Sequence, residues 1–237
     1  MKAFYLFTLI LFLASCGVKY HDSISGNGKV STTEISTDTI RQINVSDRID
    51  LILIPSDSNR VALKADENLY DVIDVSVENG ILKISSEKYI RLARSKEVWV
   101  YGNHICNVEA SAKATVTTRD TIVCDDFSLM AGSGAEVKML GHFGSFLVNG
   151  SSGCDIFMEG KTDDLNITAS SAADIYGFDF KATRAVILAS SAADVRIRIV
   201  EDAHLDASSA ADIVYAGYPK IIDSRTSSLG DIRKSKF

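Results

Sequence analysis

Ala169-Ser170-Ser171-Ala172-Ala173-Asp174-Ile175 returns almost unchanged as Ala189-Ser190-Ser191-Ala192-Ala193-Asp194-Val195 and again as Ala207-Ser208-Ser209-Ala210-Ala211-Asp212-Ile213. Looser copies precede it: Ala110 to Val116, Ala131 to Val137 and Gly150 to Ile156. A worn copy, Thr226 to Ile232, follows. The copies recur every 18–21 residues. Aligning them on the acidic position, occupied by Thr115 in the first copy, turns the rest of each repeat into columns. The residue after the acid is always aliphatic, from Val116 to Ile232. Seven positions before it stand Val108, Leu129, Val148, Ile167, Ile187 and Leu205. Apolar columns fall at odd offsets and mixed or polar ones at even offsets, which is the period-two signature of strands with one buried face. Identical columns at this interval describe a parallel β-solenoid in which each coil stacks about 4.8 Å above the last. The small-residue segment is then the corner between sheets, where the chain must turn sharply.

This predicts an all-β chain, a single parallel β-helix with coils of about 19–20 residues. Residues 40–237 form the solenoid, with corner motifs from 110 onward, and residues 16–39 form an N-terminal tether. Residues 40–109 lack the corner motif but read as β. Asn79-Gly80 sits between two alternating runs and predicts a tight hairpin. Ile49 to Ile54 and Glu97 to Tyr101 read as strands, and Asp66 is placed as the N-cap of a short helical turn. The region is expected to continue the solenoid and cap its first coil, with the basic tail Arg233 to Lys236 guarding the other end.

Ahead of all this, Lys2 is followed by an apolar run from Ala3 to Ala14 that ends in Ser15-Cys16-Gly17. The order of charge, short apolar run, small residues and cysteine resembles a lipoprotein signal at 1–15, with Cys16 as the lipid-attachment residue. The expected location is the cell envelope, lipid-anchored to the outer membrane on its periplasmic or outer side. A formal charge of −6 without basic blocks argues against nucleic-acid partners. After Cys16 three cysteines remain, an odd number that cannot close a full disulfide framework. Cys106 and Cys154 fall in apolar columns and read as small buried hydrophobes.

Arg41 to Val45, Val61 to Leu69, Glu78 to Ile84 and the Gly-Ser-Gly and Ser-Ser-Ala-Ala-Asp corners together resemble the putative auto-transporter adhesin, head GIN domain family of Bacteroides-like bacteria. The resemblance implies a right-handed β-helix of pectin-lyase-like shape, an adhesive role, an oligomer and no established catalytic residues. Later corners here carry Ala-Ala where the family often has Gly.

The acidic column is the one feature that could carry chemistry: Glu136, Asp155, Asp174, Asp194, Asp212 and Asp231, all expected to face outward. Carboxylates stacked coil on coil repel by roughly 1–4 kcal/mol per pair, so something must offset them. Three offsets are open: backbone N–H donors at each corner, as in Asx turns; bound Ca²⁺; or a partner meeting an acidic stripe. The corner role is favoured because a repeated residue at a repeated corner usually serves the corner. Asp155, Asp174, Asp194, Asp212 and Asp231 are the candidate binding stripe. No metal or other cofactor is expected. A catalytic site should break the repeat, whereas these corners are nearly identical and His21, His104, His142 and His204 share no column. The function expected is non-catalytic binding of a glycan or a host or matrix protein by an adhesin. The alternatives are a structural or assembly module of the envelope and a polysaccharide-active β-helix enzyme.

Overall fold

Every corner copy folds as the same four-residue turn. In the computed structural model, which describes residues 22–35 and 39–236, Ser171 and Ala172 have φ of 53° and 58°. Ala173 N–H donates to Ser170 O across them at 3.2 Å, giving a type I′ turn. Two successive left-handed residues explain the run of small side chains, since a bulky Cβ crowds the backbone at positive φ. The backbone ladder continues through the bend. Ala172 N–H donates to Ser191 O of the next coil at 3.0 Å, and Ser190 N–H to Ala169 O at 2.9 Å. The residue leaving the turn points inward: Ala135, Cys154, Ala173, Ala193 and Ala211 are buried, so this column too must stay small.

Between corners the chain runs as long bent strands, Glu136–Gly150, Asp155–Ala169, Asp174–Ala189 and Asp194–Ala207. They pair in parallel with like opposite like, Ile156 on Ile175 and Ile167 on Ile187. The inward columns read from the sequence are the core: Val137, Ile156, Ile175, Val195 and Ile213 are completely buried. Each such burial contributes about 1.5–3 kcal/mol. Phe127, Phe143, Phe146 and Phe180 interlock among them at centroid distances of 4.6–6.4 Å. Strand Asp155–Ala169 turns at Gly160 (φ 116°), where a Cβ would lie 1.9 Å from Gly141 O; only glycine fits. Near the next bend, buried Thr162 donates its hydroxyl toward the carbonyls of Gly144 and Asp164, both at 3.1 Å.

The result is a nearly all-β solenoid of about seven turns, and its first coils do not follow chain order. The coil of Gln42–Val45 and Asp50–Ile54 lies between the coil of Ile81–Ser86 and Lys96–Tyr101 on one side and that of Asn107–Ala110 and Thr115–Thr118 on the other. Beyond the outermost of these the chain switches to antiparallel pairing. Ile73–Glu78 pairs with Ile81–Ser86 through the expected Asn79-Gly80 turn, with φ of 54° and 78°. Arg60–Asp66 pairs with Lys96–Tyr101, and Val30–Ile35 with Arg60–Asp66. These reversals end the parallel ladder with short polar edges.

Three expectations need correcting. Ser23–Ile24 and Val30–Ile35, read as tether, are strands of the cap. The polar run Val30-Ser31-Thr32-Thr33-Glu34 hides this, because an edge strand needs no buried face. Cys106 is not a lone core thiol but forms a disulfide with Cys124, one coil away, with Cα atoms 6.2 Å apart. It stands just before strand Asn107–Ala110, where its side chain is half-buried and packed against the core. Cys154 is buried and free as expected, and burial pushes its thiol above the usual range. Asp66 does occupy the N-cap of the 3₁₀ turn Glu67–Leu69, but its carboxylate makes no cap bond there. It accepts instead from the backbone N–H groups of Gly28, Arg94 and Ser95 at 2.8–3.1 Å. Burial alone would raise its pKa; the three donors and the Arg94 charge outweigh that and hold it below the ordinary carboxylate value. This staple ties the first strands to the loop before Lys96–Tyr101. Cys16 and His21 lie outside the described residues.

Candidate binding surface

Each acidic residue follows the turn by one position and leads a strand whose next residue points into the core, so its own side chain faces out. Glu136, Asp155, Asp174, Asp194, Asp212 and Asp231 are aligned rung by rung. The column is longer than the repeat suggested. Thr115 pairs with Asp50, and Asp50 with Glu97, which carries it into the cap. The signal for these two was present, an acid directly before an aliphatic residue in Asp50-Leu51 and Glu97-Val98, but the out-of-order coil hid their place.

The carboxylates do not serve the corners. The corner N–H groups are taken by backbone: Ala173 N–H by Ser170 O, and Asp174 N–H by Cys154 O at 2.8 Å. The repulsion is offset by side-chain cations. Glu97 meets Lys64 at 3.3 Å, Asp50 meets Lys96 at 3.1 Å, and Glu136 meets Lys138 at 2.6 Å. Asp194 meets Arg196 at 3.6 Å, while Arg233 bridges Asp212 at 3.2 Å and Asp231 at 2.6 Å. These pairs are solvent-exposed and each is worth only about 0–1 kcal/mol, but along a stripe they cancel most of its charge. Among the described residues, Asp155 and Asp174 are the two acids of the column without an ion pair.

Those two sit beside a feature the sequence reading missed. Two residues after them, Phe157 and Tyr176 stack at 4.8 Å with their planes 9° apart. Arg196 lies 5.1 Å from the Tyr176 ring and Lys138 5.9 Å from the Phe157 ring. The middle of the solenoid thus presents two uncompensated carboxylates flanked by the edges of a cation-capped aromatic stack. The even column two after the acid carries this signal in the sequence, as Lys138, Phe157, Tyr176 and Arg196. No group of three or more His, Cys, Asp or Glu side chains is placed to hold a metal ion among the described residues. His104, His142 and His204 are exposed and lie apart from the column. Trp99 is half-buried, its Nε1–H donating to Glu97 at 2.8 Å.

Solved structures share this architecture. A protein from Parabacteroides distasonis described as a putative lipid binding protein superposes with a TM-score of 0.75 at 18% identity, over 91% of this chain and 100% of that one. A putative adhesin from Bacteroides fragilis gives 0.76 at 14%, over 90% and 100%. One from Parabacteroides merdae gives 0.72 at 19%, over 91% and 100%. No curated protein matches in sequence. At these identities the likeness speaks for the fold. The sequence itself places the chain: residues 39–219 match the putative auto-transporter adhesin, head GIN domain family, and the chain belongs to it.

Proposed function

We propose that the protein is a non-catalytic adhesin of the cell envelope, anchored to the outer membrane through a lipid on Cys16 and presenting its solenoid surface to a glycan or protein partner. The observation that carries this reading is the pair Asp155 and Asp174, which the fold holds outward, in register and without an internal cation, next to the Phe157–Tyr176 stack. Such a surface offers acceptors for hydroxyl or amide donors beside an apolar edge. Family membership supports the adhesive role, and the Cys106–Cys124 disulfide supports an oxidising compartment such as the envelope. A glycoside-cleaving pair would need one protonated and one ionised carboxyl in contrasting surroundings. Asp155 and Asp174 instead occupy equivalent positions on adjacent coils of an open face, which favours binding over cleavage.

The test is binding of the protein to immobilised glycans and matrix proteins, with and without chelator. Replacing both residues (Asp155→Asn with Asp174→Asn) should weaken saturable binding at least tenfold. The same change at the ion-paired Asp194 should have a smaller effect, and chelator none. A well-folded protein that binds nothing would favour an envelope assembly module instead. Loss of labelled acyl-lipid incorporation in Cys16→Ser checks the anchor separately.

A further inference from the structure

The corner column breaks its own rule at both ends: an apolar side chain, Leu229 (φ 70°), stands at the far end, and cations stand at the end nearest the cap. The second left-handed position of the turn holds Gly134, Gly153, Ala172, Ala192 and Ala210 through the middle of the solenoid, yet in the two coils nearest the cap it holds Arg48 (φ 63°) and Lys113 (φ 63°). Long side chains in a conformation that disfavours any Cβ are not what the turn asks for. They are neighbours in space, since Arg48 N–H donates to Ala112 O at 3.0 Å. Both line a cleft of 270 Å³ whose other walls include Lys88, Tyr89, Ser86 and Asp47. The Arg48 guanidinium lies 4.6 Å from the Tyr89 ring centroid, and its carbonyl accepts from Lys96 Nζ, so this corner is braced. Among the described residues neither Arg48 nor Lys113 has an ion pair, and Lys88 has only Asp22 at 3.9 Å. Asp47 Oδ2 is held by Ser46 Oγ at 2.7 Å and Ser86 N–H at 3.2 Å.

Three cations, two of them unpaired, thus line one cleft beside an aromatic ring that is 42% exposed. We propose that this cleft binds the carboxylate or sulfate of an acidic sugar unit, with Arg48, Lys88 and Lys113 meeting the anion and the sugar body lying along Tyr89. Guanidinium and ammonium donors match such oxygens, and the fixed acid Asp47 is an acceptor for neighbouring hydroxyls. An extended anionic surface fits less well. The chain carries −6 overall, and Asp22 and Asp47 border the cations. Attraction is therefore local, acting over about one Debye length of 8 Å, and suits one anionic group on a compact body better than a charged bilayer. This deepens the adhesin reading, on which it rests for the choice of a saccharide.

The experiment is calorimetric titration of the full-length protein in neutral detergent with a sulfated, uronate-containing tetrasaccharide, an uncharged tetrasaccharide of equal length, and phosphatidylglycerol vesicles. The informative variant combines Arg48→Gly with Lys113→Gly. It installs a residue the turn uses elsewhere, so the melting temperature should hold or rise. The acidic tetrasaccharide should bind at least tenfold tighter than the neutral one, weaken as salt is raised, and lose at least tenfold in affinity in the double variant. Equal affinity in the double variant, no preference for the acidic ligand, or no saccharide binding would overturn the proposal. Binding of vesicles but not tetrasaccharide would also overturn it and make the cleft a membrane contact. The Asp155 and Asp174 variants leave this cleft intact, so adhesion lost there with the cleft still active, or the reverse, tells which of the two readings has failed.

Discussion

The middle coils and the cap solve the same stacking problem by opposite means. From Ala131 to Ile213 each coil copies the one before, with corner, core and acidic columns aligned and the strands paired coil to coil except at the register shifts near Phe157, Gly177 and Ala182. The cap side, from Ser23 to Tyr101, carries no copy of the sequence motif, although its Ser46–Ile49 turn and Asp50 extend the corner and the acidic column. It reverses strand direction, places its coils out of chain order and relies on a buried carboxylate at 1% exposure. Repetition distributes stability over many equivalent contacts, whereas a terminus needs singular ones. Singular residues are also where the surface acquires individuality, as at Arg48 and Lys113.

Several substitutions would break or sharpen this contrast. The largest effect is expected within the repeat, at the glycine whose added Cβ would come nearest to a neighbouring backbone oxygen. Gly160→Ala drives a Cβ into Gly141 O and should cost about 4 kcal/mol, read as a lower denaturant midpoint. In the cap, Asp66→Asn removes a charged acceptor from three N–H donors and should cost about 3 kcal/mol. Its hydrogen exchange should quicken around 26–28 and 92–95 while the middle coils stay protected. The pH dependence has a defined sign. The folded pKa of Asp66 lies below its unfolded value, so its contribution is complete above the unfolded pKa and is lost as pH falls through the folded one. The wild type should therefore lose its advantage over Asp66→Asn in acid, and a difference that stayed constant through that range would contradict the staple.

Opening the disulfide by Cys106→Ser with Cys124→Ser releases a loop spanning 18 residues. It should cost about 2–3 kcal/mol, seen as a lower melting temperature matched by the reduced wild type. The smallest change is expected at a middle corner. Ala192→Gly relieves a left-handed alanine (φ 60°) but frees the unfolded chain, for a net gain of under about 1 kcal/mol. A marked loss there would show that the Ala-Ala corners do more than turn.

What could be read from sequence follows the same division. The inward columns, the corners and the alignment of Asp155, Asp174, Asp194, Asp212 and Asp231 were legible because each repeats at a fixed interval, and the Asn79-Gly80 hairpin because its turn chemistry is local. The partners of Asp66 and of Cys106 were not, since Gly28, Arg94 and Cys124 come from unrepeated segments that only tertiary structure joins. The role of the acids was misjudged for a related reason. A turn of two left-handed residues uses its own backbone groups and leaves no donor for an Asx contact, a property of conformation and not of residue type. The cationic corner was visible as Lys113 standing where Gly134 and Gly153 stand, but its companion Arg48 lies in a coil without the motif.

The out-of-order coil bears on how the chain is made. Strands Gln42–Val45 and Asp50–Ile54 emerge early in synthesis, and both of their edges are afterwards covered, one by Ile81–Ser86 and Lys96–Tyr101, the other by Asn107–Ala110 and Thr115–Thr118. Folding in the order of synthesis would therefore start from an internal seed and proceed in two directions. In that order the cap side would be finished first, and the repeats would then be templated outward one at a time. A chain threaded from its N-terminus across a membrane would present a closed end and a single growing edge from about residue 118 onward, which halves the surface on which stalled copies could pair with one another.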